Sequence, residues 1–452
     1  MMWDSPASRT FNYLDLDDWI ALAKELERAK FDAFFWADHS SVHDVYRGTW
    51  ETAVREAVQF PLGDPFTLSS ALASSTQDLG FAFSANIIQD HPYTFARRLS
   101  TLDHLTKGRI AWNIVTSWQP SAWANLGRNV MGSHSERYLE AEEYLTVLYK
   151  LLEGSWEDGA VVRDMANRVY ADVSKVRKIN HIGHFYAVPG VHTNEPSPQR
   201  MPVLFQAGSS DVGRTFAARH AEAMFLAGTN ARGVRAALDD MRRRLAGAGR
   251  EASDLLPFLG QKFVVGSTEE EAKRKDREFE EYLSSETMLA FGSSTMGVDL
   301  STVDVDTPIG ELETQAVQGQ FKALAEAAPD KSFTFRDVVM RMFSGRLVGT
   351  PEQIADAMQE WHDLGVKGIN LGMVRGWDDI YDITQHVVPV LQARGLMQTD
   401  YSHGTFREKM FAGTPSDEGA RINHRHPAAR YRRHPAQPEG ACWDGPGGDP
   451  LP

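Results

Sequence analysis

The chain has 452 residues, 42% of them apolar, a single cysteine (Cys442) and a formal net charge of -14. Length and apolar content allow one large barrel with insertions or a few smaller domains, while the acidic balance argues against a nucleic-acid backbone or an anionic membrane as partner and leaves a small molecule as the expected ligand. One cysteine excludes an internal disulfide framework and a thiolate metal cluster, and with no signal-peptide pattern and no apolar run near the ~18 residues of a membrane span the chain reads as cytoplasmic.

Residues 16–30 place Trp19, Ile20, Ala23 and Leu26 on a helical spacing behind Asp15, Asp17 and Asp18, which suit a helix N-terminus. The aromatic run 31–37 is too short for a helix and ends in Asp38-His39, so it predicts a buried strand with polar residues at its C-terminal end. Further strands are expected over 79–84, 109–115, 203–206, 223–226, 258–265 and 368–373, seven in all. Between them the spacing predicts helices over 65–77, 91–105, 135–152, 213–220, 231–246, 268–283, 351–364 and 377–393. Strict alternation of short apolar strands and amphipathic helices marks a parallel α/β sheet, and a count near eight in a chain this long favours a (β/α)8 barrel. Three long connections, 40–63, 154–201 and 284–349, interrupt the rhythm and are expected to cap the site. The barrel with these insertions is assigned to residues 1–415, and the Gly/Pro/Arg/His-rich stretch 416–452 is expected to be disordered.

Chemistry is expected where the strands end. The segment Gln206-Ala-Gly-Ser-Ser-Asp-Val-Gly213 runs from a strand into a helix through Ser209 and Ser210; it reads as a serine-capped turn or as an anion site made of helix N–H groups and hydroxyls. His134 and Tyr138 in His134-Ser-Glu-Arg-Tyr138 share one helix face and can reach one ligand. Asp38, Ser84, Asn113 and Thr116 close strands, as ligand contacts or as local turn and backbone partners. No metal site is expected: His181-Ile-Gly-His184 lacks the spacing of a helical zinc pair. A dinucleotide fingerprint and a nucleophile elbow are not indicated either.

The wording of Thr101-Leu-Asp-His-Leu-Thr-Lys-Gly-Arg-Ile-Ala-Trp-Asn-Ile-Val-Thr-Ser117 and Pro202-Val-Leu-Phe-Gln-Ala-Gly-Ser-Ser210 resembles the bacterial-luciferase-like flavin monooxygenases, in the branch holding the nitrilotriacetate, dibenzothiophene-sulfone and long-chain-alkane monooxygenases. The resemblance covers roughly residues 3 to 431. It implies a luciferase-type TIM barrel in which Ser210, with Ser209 adjacent, contacts the FMN phosphate and His134 and Tyr138 lie beside it. It further implies that Asp38 touches the flavin, that Ser84 and Asn86 carry a non-prolyl cis peptide beneath its ring, and that Asn113 and Thr116 edge the isoalloxazine. The activity implied is the monooxygenase half of a two-component system. A separate NAD(P)H-dependent reductase delivers FMNH2, O2 is activated as a C4a-(hydro)peroxide, and one oxygen atom enters a small hydrophobic or xenobiotic substrate. His43, Gln59 or His134 would assist proton transfer, in a homodimer or homotetramer.

The substrate constellation of the alkane-oxidising type is matched here by Gln59 alone; His43, Trp118 and about Phe291 stand at other members' tyrosine and histidine positions. Family barrels also begin with a strand, whereas residues 1–15 carry no strand pattern. A missing first strand, a gap between the strands near Phe34 and Asn370, a floor open to water and poor coupling with release of hydrogen peroxide are therefore expected. A deazaflavin (F420)-dependent dehydrogenase and a noncatalytic flavin-binding protein remain as alternatives on the same barrel.

Overall fold

The computed structural model describes residues 12–432 except 129, 227–229, 305, 307, 309–332, 335, 338, 340–342, 344 and 373. Cys442, residues 433–452 and the residues 1–11 in which a first strand was sought lie outside the described residues.

The strands, in chain order, are β1 (Ala33–Trp36), β2 (Gly80–Asn86), β3 (Ile110–Val115), β4 (Val161–Asp164), β5 (Val169–Ala171), β6 (His181–Ile182), β7 (Ala187–Val188), β8 (Val203–Gln206), β9 (Ala223–Phe225), β10 (Leu256–Val265), β11 (Arg346–Gly349) and β12 (Gly368–Gly372). Eight of them form one sheet in the order β1-β2-β3-β8-β9-β10-β11, with β12 also on β10, and every pairing is parallel. The antiparallel pairs β4-β5 and β6-β7 fold within the second long insertion as separate hairpins.

The sheet is rolled rather than flat. Phe35 on β1 and Phe225 on β9 lie four strand positions apart, about 19 Å in a flat sheet at ordinary strand spacing, yet their ring centroids are 5.3 Å apart. Phe205 and Phe258 join the same edge-to-face cluster inside the roll, and the small Ala82, Ala111 and Ala223 face them. One residue pair further along β10 the filling stops: a Cβ built on Gly260 would meet nothing within 4 Å. Outside the roll, Trp112 of β3 packs against Phe95 and Tyr144 of the Pro92–Leu105 and His134–Tyr149 helices, all three buried.

The helices follow their capping chemistry. Asp64 accepts the Thr67 N–H at 2.7 Å with Pro65 behind it, and Thr350 and Gln353 form a reciprocal capping box. Two departures from the sequence expectation have a plain local cause. The helix expected over 65–77 ends at Ala73, because Ser74, Ser75 and Thr76 turn their hydroxyls back onto Ala71 and Leu72 carbonyls, and the Arg109 guanidinium takes the carbonyls of Ala73 and Thr76. The 377–393 helix passes through a wide π-type turn at Ile383–Val387, just before Pro389, which has no N–H to give.

Strand β11, expected to be part of an irregular insertion, pairs with the end of β10 from Lys262↔Arg346 to Val265↔Gly349. Its four residues show no alternation that a sequence reading could detect. Among the described residues, β1 has no strand partner except β2, and β12 none except β10; residues 1–11, on which the expected gap between them turns, lie outside the described residues.

The floor is not open as expected: the Phe406–Phe411 helix closes the N-terminal end of the roll, with Phe406 and Phe411 packed under Ala82 and Ala111. Gly80 and Gly108 give it room, since a Cβ on either would come within 2.7 Å of Phe406 or Thr405. Residues 416–432, expected to be disordered, instead pack on the barrel; Ile422 and Ala428 are fully buried and Arg425 grips Asp254 at 2.6 and 2.9 Å. No helix among the described residues is long and apolar enough to cross a membrane.

The plug is anchored by Arg407, whose side chain is 3% exposed. Its five N–H donors meet Glu222 twice (2.7 and 2.9 Å) and the carbonyls of Pro202, Ala420 and Gln199. Cutting Glu222 to Ala strands a buried cation, so E222A should cost roughly 3–5 kcal/mol, whereas the paired change Arg407→Met with Glu222→Leu should cost much less. Thermal and urea unfolding of the two variants checks this, and a cost below about 1 kcal/mol for E222A would refute the clamp.

Candidate functional site

All parallel strands end at one face, and the polar residues gather there. The register pairs Ser84 of β2 with Asn113 of β3, so the Asn113 amide donates to Ser84 Oγ at 2.9 Å. Asn113 Oδ1 is then buried with no hydrogen-bond partner among the described residues, an acceptor turned toward whatever N–H a ligand presents. Asp38 follows β1, and burial pushes its carboxyl up to about 6 against hydrogen bonds from the His39 backbone and Gln89.

Asn86 builds local structure at the strand end, and the expected cis peptide is absent. Its Oδ1 accepts the Ile88 N–H at 3.2 Å and its own N–H goes to Gln89 Oε1, so the side chain builds the turn after β2. The peptide bonds there are trans; among the described residues the one cis bond is Phe60-Pro61. The ladder that pairs Asn86 with Val115 continues unbroken through this stretch.

A second group forms where β8 runs into the Asp211–His220 helix. Ser210 is its N-cap, with Oγ accepting the Gly213 N–H at 3.1 Å and lying 3.3 Å from His134 Nε2. His134 opens the neighbouring helix behind a Ser133/Glu136 capping box, and Tyr138 stacks one turn on, ring centroids 5.2 Å apart. The Tyr138 hydroxyl meets Gln206 Nε2 at 3.4 Å and the side chains of Thr116 and Ser210. Thr116 thus joins this group rather than Asn113, and Ser209 lies half-buried in the same turn. A Cβ on Gly213 would sit 2.7 Å from the Tyr138 hydroxyl and 3.0 Å from Ser210 Oγ, so only glycine leaves the cradle open. Burial holds the His134 imidazole below its ordinary range and Tyr138 above its own, which keeps the ring neutral and the phenol protonated near pH 7. Hydroxyls, imidazole and the free N–H groups of a helix's first turn suit a phosphate.

The third group is His43 with Gln59, contributed by the first insertion. His43 Nε2 donates to Gln59 Oε1 at 3.1 Å and Nδ1 accepts from Gln119 Nε2 at 3.3 Å, which fixes one neutral tautomer. Trp118 and Phe291 wall the imidazole at 6.2 and 5.8 Å, and His39 lies 5.3 Å away. Burial lowers His43 to about 4. Gln59 holds a left-handed backbone (φ 49°), as does Ser117 (φ 61°) between Thr116 and Trp118. Arg137, on the helix that carries His134 and Tyr138, grips the Ser117 carbonyl, so one guanidinium ties the phosphate-type cradle to the aromatic-walled pocket. Arg137 and Gln119 were missed in the sequence; lying between His134 and Tyr138, Arg137 was the detectable one. His181, the weak metal candidate, is held between Glu143 and Lys150, each at 3.1 Å.

Comparison with known proteins follows this geometry. The Luciferase-like monooxygenase family model matches residues 3–368. The chain is 44% identical over 432 residues to the long-chain alkane monooxygenase of Geobacillus thermodenitrificans, covering 95% of this chain and 94% of that one. It is 42% identical over 435 residues to the dimethyl-sulfide monooxygenase of Hyphomicrobium sulfonivorans, covering 95% and 90%. A crystal structure of riboflavin lyase with modified FMN and riboflavin superposes with a TM-score of 0.88 at 33% identity, over 96% of each chain.

The two perturbed groups titrate with opposite sign. His43 folds with a value near 4 against 6.5 for the free side chain, so its contribution to stability is complete above about pH 6.5 and is lost as pH falls toward 4. Asp38, raised from 3.8 to about 6, favours the folded chain at low pH and loses that contribution as pH rises from about 4 to about 6. Imidazole NMR should therefore show His43 unprotonated between about pH 5 and about pH 8, and a midpoint above about pH 6 would contradict the buried, doubly engaged ring.

Proposed function

Since the chain belongs to the luciferase-like monooxygenase family and is a flavin-dependent monooxygenase, we propose that it is the oxygenase of a two-component system using FMNH2. A separate NAD(P)H-dependent reductase supplies the reduced flavin, and the substrate is a small, weakly polar organic molecule. The observation that carries this reading is the convergence of Ser210, His134 and Tyr138 on one cradle at the face where Asp38, Ser84 and Asn113 also end.

The residues present fit the flavin. Ser210, Ser209, His134, Tyr138 and Thr116 would hold its phosphate, with Gly213 keeping the cradle open. The orphaned Asn113 Oδ1, steadied by Ser84, would accept an N–H of the flavin, and Asp38 lies at the same strand ends. When bound, reduced flavin supplies the electrons that activate O2; the protein's part is to orient, to exclude water and to place protons. His43 keeps its proton on Nε2 against Gln59, so the pair presents an oriented neutral donor rather than a free base. His134 belongs with the phosphate and not with the reacting end. Trp118 and Phe291 line the substrate side with apolar surface, in keeping with relatives named for an alkane and for dimethyl sulfide. The assembly proposed is a homodimer or homotetramer.

Under 18O2, with FMNH2 generated by a reductase, products from a panel of small sulfides and alkanes should each carry one labelled oxygen. Hydride transfer from a reduced deazaflavin with no label in any product would overturn the proposal in favour of a dehydrogenase. Ser210→Ala with Tyr138→Phe should weaken FMNH2 binding about ten- to a hundredfold, the worth of one or two charge-assisted hydrogen bonds. Unchanged affinity by anaerobic titration would remove the phosphate assignment.

A further inference from the structure

A cavity of about 800 Å³ opens on the outside of the barrel, between the Asp211–His220 and Ala231–Gly247 helices and residues 424–432. None of its lining residues belongs to the strand-end groups described above. Its walls carry Arg219, Arg244, His424, Arg425, Arg430 and Arg432, and no aspartate or glutamate lines it. In a chain of net charge -14 this is a strong local reversal of sign.

The carboxylates that balance these cations lie outside this lining, some buried behind it and some exposed beside it, Asp211 and Glu251 among the latter, with Glu418 against His424. Arg425 pairs with Asp254 at 2.6 Å and Arg432 with Glu153 at 2.7 Å, and those two carboxylates are 1% and 0% exposed. Arg244 is held by Asp211 and Asp240, and Arg219 by Glu142. Such pairing fixes the direction of each side chain, and one carboxylate takes two of a guanidinium's five N–H donors; Arg244 spends most of its own on Asp240, Asp211 and Thr215. Arg430 makes no ion pair within 4 Å among the described residues, though its charge acts on Glu142; its guanidinium lies over the Tyr431 ring, 5.2 Å from the centroid. At Gly247 a Cβ would meet nothing within 4 Å, so that wall is open space. Cations on three elements around a concave void focus a positive potential into it, and the volume lies in the range of small-molecule sites rather than of a single tetrahedral anion.

We propose that this cavity is a second anion site, binding a diphosphate-bearing small molecule of nucleotide size independently of the flavin. Titration of the full chain with ADP, and separately with inorganic pyrophosphate, tests it by calorimetry and thermal shift with FMN present at saturation. Saturable ADP binding is expected, weakening as salt is raised and falling about tenfold or more in Arg219→Gln/Arg430→Gln. FMNH2 affinity should be unchanged in that variant. Pyrophosphate binding as tight as ADP also supports the site and assigns recognition to the phosphates alone. Absence of saturable binding for both ligands, equal ADP affinity in the variant, or displacement of ADP by FMN would overturn the proposal.

Discussion

A guanidinium buried at the bottom of the barrel holds the architecture together. With β1 and β12 each paired on one side only, hydrogen bonding among the described residues does not close the roll into a ring; among them, packing within and the plug beneath hold it. Arg407 fastens that plug by bonding Glu222, just before β9, together with the carbonyls that precede β8. Arg109 does the same under β2 and β3, taking the carbonyls of Ala73, Leu79 and Thr106, and Arg250 joins Ala218, Ala221 and Asp254 near the start of β10. A planar donor with five fixed directions can satisfy several unpaired carbonyls at once, which no other side chain does.

The two ends of the barrel are therefore built from different chemistry. The plugged end has charged networks of guanidinium, carboxylate and carbonyl groups whose disruption costs stability. The open end relies mainly on amides, hydroxyls and imidazoles, with Asp38 and Arg137 beside them, and leaves a bond unmade at Asn113 Oδ1. A flavin's phosphate and ring make unlike demands; on the proposed reading separate groups would meet them, linked by the Arg137 grip on Ser117. Because that grip spans the end of β3 and the helix bearing His134 and Tyr138, cradle and pocket move as one body.

How much of this could be read in the sequence depended on whether the information was local. Helix starts were legible because caps such as Asp64 and Thr350 act within a few residues, and the His134–Tyr138 pair because i,i+4 spacing is a local rule. Ser84 and Asn113 could be assigned to strand ends, but their mutual bond is a matter of register between strands. Strand β11 was invisible since only its partner makes Arg-Leu-Val-Gly a strand. The 416–432 segment read as unstructured because its composition is poor in apolar residues; its order comes from ion pairs to Asp254 and Glu153 and from two buried anchors, Ile422 and Ala428. The turn-building bonds of Asn86 were not legible because an Asx-type turn and a ligand contact use the same residue type.

The abrupt end of the barrel's filling at Gly260 bears on how this enzyme can change. Phe35, Phe205, Phe225 and Phe258 fill the interior up to one level, and the next inward position on β10 has no side chain at all. The chamber's depth is thus set at that point by backbone, and no substitution there can enlarge it. Any mutation at Gly260 makes the chamber shallower. Adaptation to a bulkier substrate must come instead from the walls, Trp118 and Phe291 on the insertions and loops, which can be trimmed without touching the roll that carries them.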